Sequence, residues 1–209
     1  MMGSPLARVN VRADAWDLIW SFAHRVLVVN LGLAAATSPL LLALAVVSDP
    51  LGYPVFFGVL AAVVIGPAVA AGFAYLDDQG SFFRSYKRLA PRALLLSTLT
   101  LAAVGVLAAD IAVLHNSMPG AALVPLLAVL GILALSIGLT MLANPDTPLR
   151  TAIYATVRRP HLTLLSLAVL AAAVVIVNQV PLAGLATVPG CALWVVQING
   201  RIQLAGSTA

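Results

Sequence analysis

YPVFFGVLAAVVIGPAVAAGFAYLDDQGSFFRSYKR, residues 53–88, decides the fold class. No charged side chain occurs from Tyr53 to Leu76. A hydrocarbon layer ~30 Å thick is crossed by a helix of ~20 apolar residues, so this run reads as a transmembrane helix. It gives way at once to Gly80-Ser81-Phe82-Phe83-Arg84-Ser85-Tyr86-Lys87-Arg88, an aromatic and basic segment suited to a membrane surface.

Composition extends the reading to the whole chain. Apolar residues make up 62% of the 209 residues and charged residues 9%, and the mean hydropathy is +1.06. A soluble domain carries about 25% charged residues. Lipid must therefore be the main solvent, and the length suits one compact helical unit over residues 1–209. The net charge of +4 does not point to nucleic acid, because the basic residues sit in short clusters between apolar spans. Anionic lipid head groups would meet them there. Glu is absent and Ala, Leu, Val, Gly and Pro dominate, a bias expected of a GC-rich bacterial genome. The stretch Met1–Trp16 is polar and lacks the apolar core of a signal peptide, so the first apolar helix is expected to insert uncleaved.

Six segments are long and apolar enough to cross: about Val26–Val47, Tyr53–Leu76, Ala93–Leu114, Ala121–Ala143, Leu162–Val177 and Leu182–Ile198. The last two are separated only by Asn178-Gln179-Val180-Pro181. Fusing them would give a helix too long for a bilayer, so a tight hairpin is preferred. Under this reading every Lys and Arg falls on one face: Arg8, Arg12, Arg25, Arg84, Lys87, Arg88, Arg92, Arg150, Arg158, Arg159 and Arg201. Cytoplasmic loops collect such residues, so both termini are expected inside a bacterial plasma membrane. The external turns are short and each holds a proline.

The three segments that lead into spans one, three and five look like short amphipathic interfacial helices. In the second, Phe82, Phe83, Tyr86, Leu89 and Ala90 should share a face opposite Arg84, Lys87 and Arg88. The third opens on Thr147-Pro148 and carries Leu149, Ala152, Ile153 and Val157. His24-Arg25, Pro91-Arg92 and Pro160-His161 can then be set in register. This gives three units, residues 11–76, 78–143 and 146–209, each an interfacial helix followed by a hairpin. Asn30, Ser97 and Ser166 coincide in that register.

Polar residues within spans are costly unless partnered, and so they are the candidates for a site. Asp110 lies about one turn from the outer end of span three, and reads either as a proton or cation site or as an acid reaching the outer interface beside His115 and Asn116. Asn30 lies in span one, with an expected bond to Ser97 or Ser166. In span two, Gly66 and Pro67 predict a kink, and Ala68 and Gly72 a small face for close helix approach. Catalytic signatures are missing. There is no His-Glu-x-x-His, no phosphate loop and no Gly-x-Ser-x-Gly elbow, and the single Cys191 sits in apolar surroundings. No enzyme activity, cofactor or metal is expected.

Three features together resemble the YesL-like family of bacterial integral membrane proteins, a family of unknown function. They are the amphipathic lead into Asn30-Leu31, the Gly66-Pro67-Ala68 to Ala70-Ala71 stretch, and Gly80 to Arg88, within about Ala13–Leu101. The chain departs from many relatives in an outer turn charged only at Asp49, and in Ala-rich later spans. Members often occur beside carbohydrate uptake transporters of the ATP-binding-cassette type. The resemblance implies an accessory or regulatory role in solute uptake, without catalytic residues. Phe82, Phe83, Arg84, Tyr86, Lys87 and Arg88 are the candidate elbow for a partner or for lipid. The rival expectation is a small transporter of three hairpins, with Asn30 and Asp110 facing one water-accessible path.

Overall fold

The computed structural model describes residues 11–115 and 118–205, and these are helical almost throughout. In chain order they form α1 (Val11–Val46), a 3-10 turn η1 (Pro50–Gly52), α2 (Pro54–Leu76), α3 (Phe82–Leu114), a single turn α4 (Met118–Ala121), α5 (Val124–Ala143), α6 (Leu149–Arg158), α7 (Pro160–Gln179) and α8 (Pro181–Ala205). Arg8 and Asn116, which enter the sequence reading, lie outside the described residues.

Among the described residues five helices are long and apolar enough to cross a membrane: Ile19–Val46 of α1, then α2, α3, α5 and α7. The expectation was six. α8, at 25 residues, has the length of a span and is not among the five. The helix is nonetheless distinct from α7, because Pro181 follows a single extended residue, Val180.

Two of the three expected interfacial helices do not exist as separate elements. α1 runs for 36 residues straight through His24-Arg25, and α3 for 33 residues through Pro91-Arg92. At 1.5 Å per residue these helices are about 54 and 50 Å long, well beyond a ~30 Å hydrocarbon layer. Their polar leading turns therefore continue past the apolar layer on the same axis. Only the third unit breaks as expected. Pro160 disfavours the helical conformation in the residue before it, and Arg159 takes φ −128°, ψ 66°, which separates α6 from α7. Pro91 is tolerated because it lies at the exposed, polar end of α3, where the carbonyl it orphans needs no protein partner.

α2 and α8 sit at the centre and touch each other. An arc of packed neighbours runs α8–α1–α2–α3–α5, with α7 laid against α8. The core joins Val29 and Leu33 of α1, Ala68 and Phe73 of α2, Ala143 of α5, and Leu193 and Val196 of α8. Small residues let the helices approach closely, as the sequence suggests for Ala68 and Gly72: Ala68 is fully buried, and a Cβ on Gly72 would lie 3.0 Å from Leu193. Burial is concentrated toward the end of the bundle that carries the arginines. Large apolar side chains such as Leu31, Leu42, Val55, Leu95, Val113 and Val174 point outward. Exposed aromatics mark both ends, with Trp16, Trp20, Phe83 and Tyr154 at the basic end and Tyr53 and Phe56 at the other, as in membrane interface belts.

Candidate functional site

α2 ends in a Schellman motif. The Gln79 N–H bonds the Ala74 carbonyl at 3.0 Å and the Asp78 N–H bonds Tyr75 at 3.1 Å. Asp78 takes the left-handed position usual for glycine, at φ 58°, and Gly80 follows at φ 101°. Asp tolerates that conformation better than most residues. The motif turns three polar side chains toward three helices. Asp78 accepts from Arg25 of α1 at 2.8 Å, Gln79 accepts from Arg88 of α3 at 3.2 Å, and Asp77 accepts from Arg201 of α8. Arg159, just before α7, donates to the Ile202 carbonyl of α8 at 2.7 Å. Burial pushes the Asp77 carboxyl above its ordinary value; Arg201 opposes that rise and Asp78 adds to it. Sequence reasoning did not single out this staple. Its signal was the one Asp-Asp pair in the chain, set directly after a span on the basic face.

The elbow that follows is split by its helix. Phe82 is only 3% exposed and packs under α1, where a Cβ on Gly32 would lie 2.7 Å from its ring. Ser85 is buried and Tyr86 packs on the core. Phe83, at 64% exposure, turns outward with Arg84 and Lys87. The expected common face of Phe82 and Phe83 is thus corrected. Neighbouring helical residues lie about 100° apart, and the close approach of α1 takes Phe82 alone. Arg88 is exposed but bonded to Gln79.

The intramembrane candidates are placed differently from one another. Asn30 is 1% exposed. Its amide does not reach Ser97 or Ser166, contrary to expectation, but is inserted into α8. Its Nδ2 donates to the Ala186 carbonyl at 2.7 Å, and its Oδ1 accepts from the Gly190 N–H at 2.6 Å. Those two backbone groups would bond each other in an unbroken helix; next to Pro189 they are spliced by a side chain from α1. Gly190 is required there, because a Cβ would lie 2.9 Å from the Val26 carbonyl oxygen.

Ser97 plays a related part at the second proline. Its hydroxyl donates to the Ala62 carbonyl of α2 at 2.8 Å, just before Gly66-Pro67. A Cβ on Gly66 would collide with that hydroxyl. Ser166 is instead bonded to Asn199 of α8, which donates to it at 3.1 Å. Asn199, Gln203 and Gln197 were also missed by sequence reasoning. They are polar residues late in an apolar helix, and that cost is the signal that could have found them. Gln203 donates to Thr163 at 3.0 Å and Gln197 to the Phe73 carbonyl at 3.2 Å.

Asp110 stands apart from all of these. It is exposed near the end of α3, whereas Asn30 is buried. His24, His115, His161 and Cys191 are exposed as well, and no group of three metal-ligating side chains occurs among the described residues. The arrangement can hold helices together and present a charged apolar surface; the described residues bring no nucleophile together with a base. No family model matches the chain, and comparison with curated proteins and with solved structures gives no match.

Proposed function

We propose that this chain is a non-enzymatic integral membrane protein that serves as an accessory or regulatory component of a solute uptake system. On this reading α8 is a sixth span, the pairs α1–α2, α3–α5 and α7–α8 are three hairpins, and the basic end faces the cytoplasm of a bacterial cell. The observation that carries the proposal is the split elbow. Phe82 and Tyr86 are packed inward, so Phe83, Arg84 and Lys87 are presented outward from a fixed helix. An aromatic beside two cations suits both anionic head groups and an acidic partner surface. The choice of a carbohydrate transporter of the ATP-binding-cassette type as partner follows from the resemblance to YesL-like proteins.

The rival transporter reading asks for Asn30 and Asp110 on one water-accessible path. Asn30 has both ends of its amide committed inside a closed seam, and Asp110 lies outside the bundle. Their separation supports the accessory reading. The test is recovery of the intact tagged chain from native membranes in mild detergent. Transporter subunits should accompany it and should be lost from the double variant Arg84→Glu, Lys87→Glu. Recovery without any transporter subunit, or solute flux by the chain reconstituted alone that Asp110→Ala abolishes, overturns it.

A further inference from the structure

α5 and α7 hardly touch, although both lean on α8. The cleft between them is lined by Ser136 and Thr140 of α5, by Thr163 and Ser166 of α7 and by Gln203 of α8, set among apolar side chains such as Leu139 and Leu167. The five polar side chains are each more than nine-tenths buried, and no charged group joins them. The room it leaves for water centres is about 20 Å³. A water needs ~10–15 Å³ and two to four polar partners.

The hydrogen-bond valences decide what the cleft takes. Ser136 donates to the Ile132 carbonyl, Thr140 to Ser136 and Thr163 to Thr156, so these hydroxyl protons are committed and their lone pairs face inward as acceptors. The Ser166 oxygen accepts from Asn199, while its own proton has no acceptor among the protein atoms. Gln203 uses Nε2 on Thr163, while its Oε1 has no donor. One hydroxyl donor and one amide acceptor are thus left over in a cleft with room for a single water.

We infer that the α5–α7 cleft is a hydration site for one water molecule. The water accepts from the Ser166 hydroxyl, donates one proton to Gln203 Oε1, and donates the other to a hydroxyl oxygen of α5. It makes the three bonds usual for a buried water. It also ties α5 to α7 and α8.

The full chain in lipid nanodiscs, labelled with nitrogen-15 at Asn and Gln side chains, supplies the test. Water-to-amide cross-relaxation should be strong at Gln203 and at least tenfold weaker at Asn30 and Gln197, whose side-chain N–H groups bond backbone carbonyls. Filling the cleft with Ser166→Val and Thr140→Ile should remove the Gln203 signal and leave the Asn30 amide shift in place. The native protein alone decides the matter if that variant fails to fold. A Gln203 amide that sees only lipid methylenes, or sees water no better than Asn30 does, overturns the inference, as does a water signal that survives the filled cleft.

Discussion

The seam between α8 and α1 and the seam between α5 and α7 are built from similar materials and end up opposite in character. Each is an approach of two apolar helices with a polar residue at the same register position, Asn30 in one and Ser166 in the other. At the first, Asn30 reaches across and completes the broken backbone of α8, and Gly190 lets the helices close over it. At the second, Ser166 turns aside to Asn199, and the two helices stand apart over a polar cleft. The α2–α3 seam, with Ser97 on Ala62, belongs to the closed kind. The Asp77-Asp78-Gln79 staple reinforces the same division, since it binds α1, α3 and α8 and reaches neither α5 nor α7. In both closed seams a polar side chain bonds backbone groups of the facing helix close to a proline, and a glycine gives it room. At the open seam Ser166 finds its partner within its own pair of helices.

This contrast sets an order of effects. Gly190→Val should be the most damaging, because its side chain meets the fixed Val26 carbonyl at 2.9 Å or less. Overpacking of this kind costs about 3 kcal/mol, read as a lowered midpoint in thermal unfolding in detergent. Asn30→Leu should follow at about 2 kcal/mol, since it leaves the Gly190 N–H and the Ala186 carbonyl buried without partners. An Asn30→Leu variant as stable as the native chain would remove the splice from the account.

Much of the contrast was legible in the sequence, but not all of it. The prolines, the glycines and Asn30 all stood out as intramembrane exceptions, and apolar length located the crossing helices. The pairing of Asn30 with Pro189-Gly190 was not legible, because 160 residues separate the partners of that bond and periodicity carries no information about which helix lies alongside which. The expected breaks at Arg25 and Arg92 failed for local reasons: amphipathic patterning does not itself bend a helix, and Pro91 is accommodated in the polar end of α3, whereas the residue before Pro160 leaves the helical conformation. Phe82 and Phe83 could not be told apart until the position of Gly32 was known.

Smaller effects sharpen the same comparison. Ser97→Ala should cost about 0.6 kcal/mol, the usual worth of one hydrogen bond between membrane helices. Ser166→Ala should cost less than about 0.5 kcal/mol, because water in the cleft can serve Asn199 in its place. Equal costs in the two unfolding curves would erase the distinction between closed and open seams. At the staple, burial raises the folded-state pKa of Asp77. The native protein thus holds that proton more tightly than the unfolded chain. The stability this supplies is full below the ordinary carboxylate range and is lost as pH rises through the raised value. Arg201→Gln removes the one opposing influence, so the Asp77 carboxyl should titrate higher still when followed by carbon-13 resonance. A downward move would contradict the assignment of Arg201 as its partner.

Cysteine cross-linking tests the division between closed and open seams most directly. In a Cys191→Ser background, a disulfide forms where Cα atoms come within about 4.4–6.8 Å. The pair Ala62→Cys with Ser97→Cys, across the closed α2–α3 seam, should oxidise readily in the membrane. The pair Ser136→Cys with Ser166→Cys, across the α5–α7 cleft, should stay reduced under the same conditions. Equal cross-linking of the two pairs would show that the third seam is closed like the others.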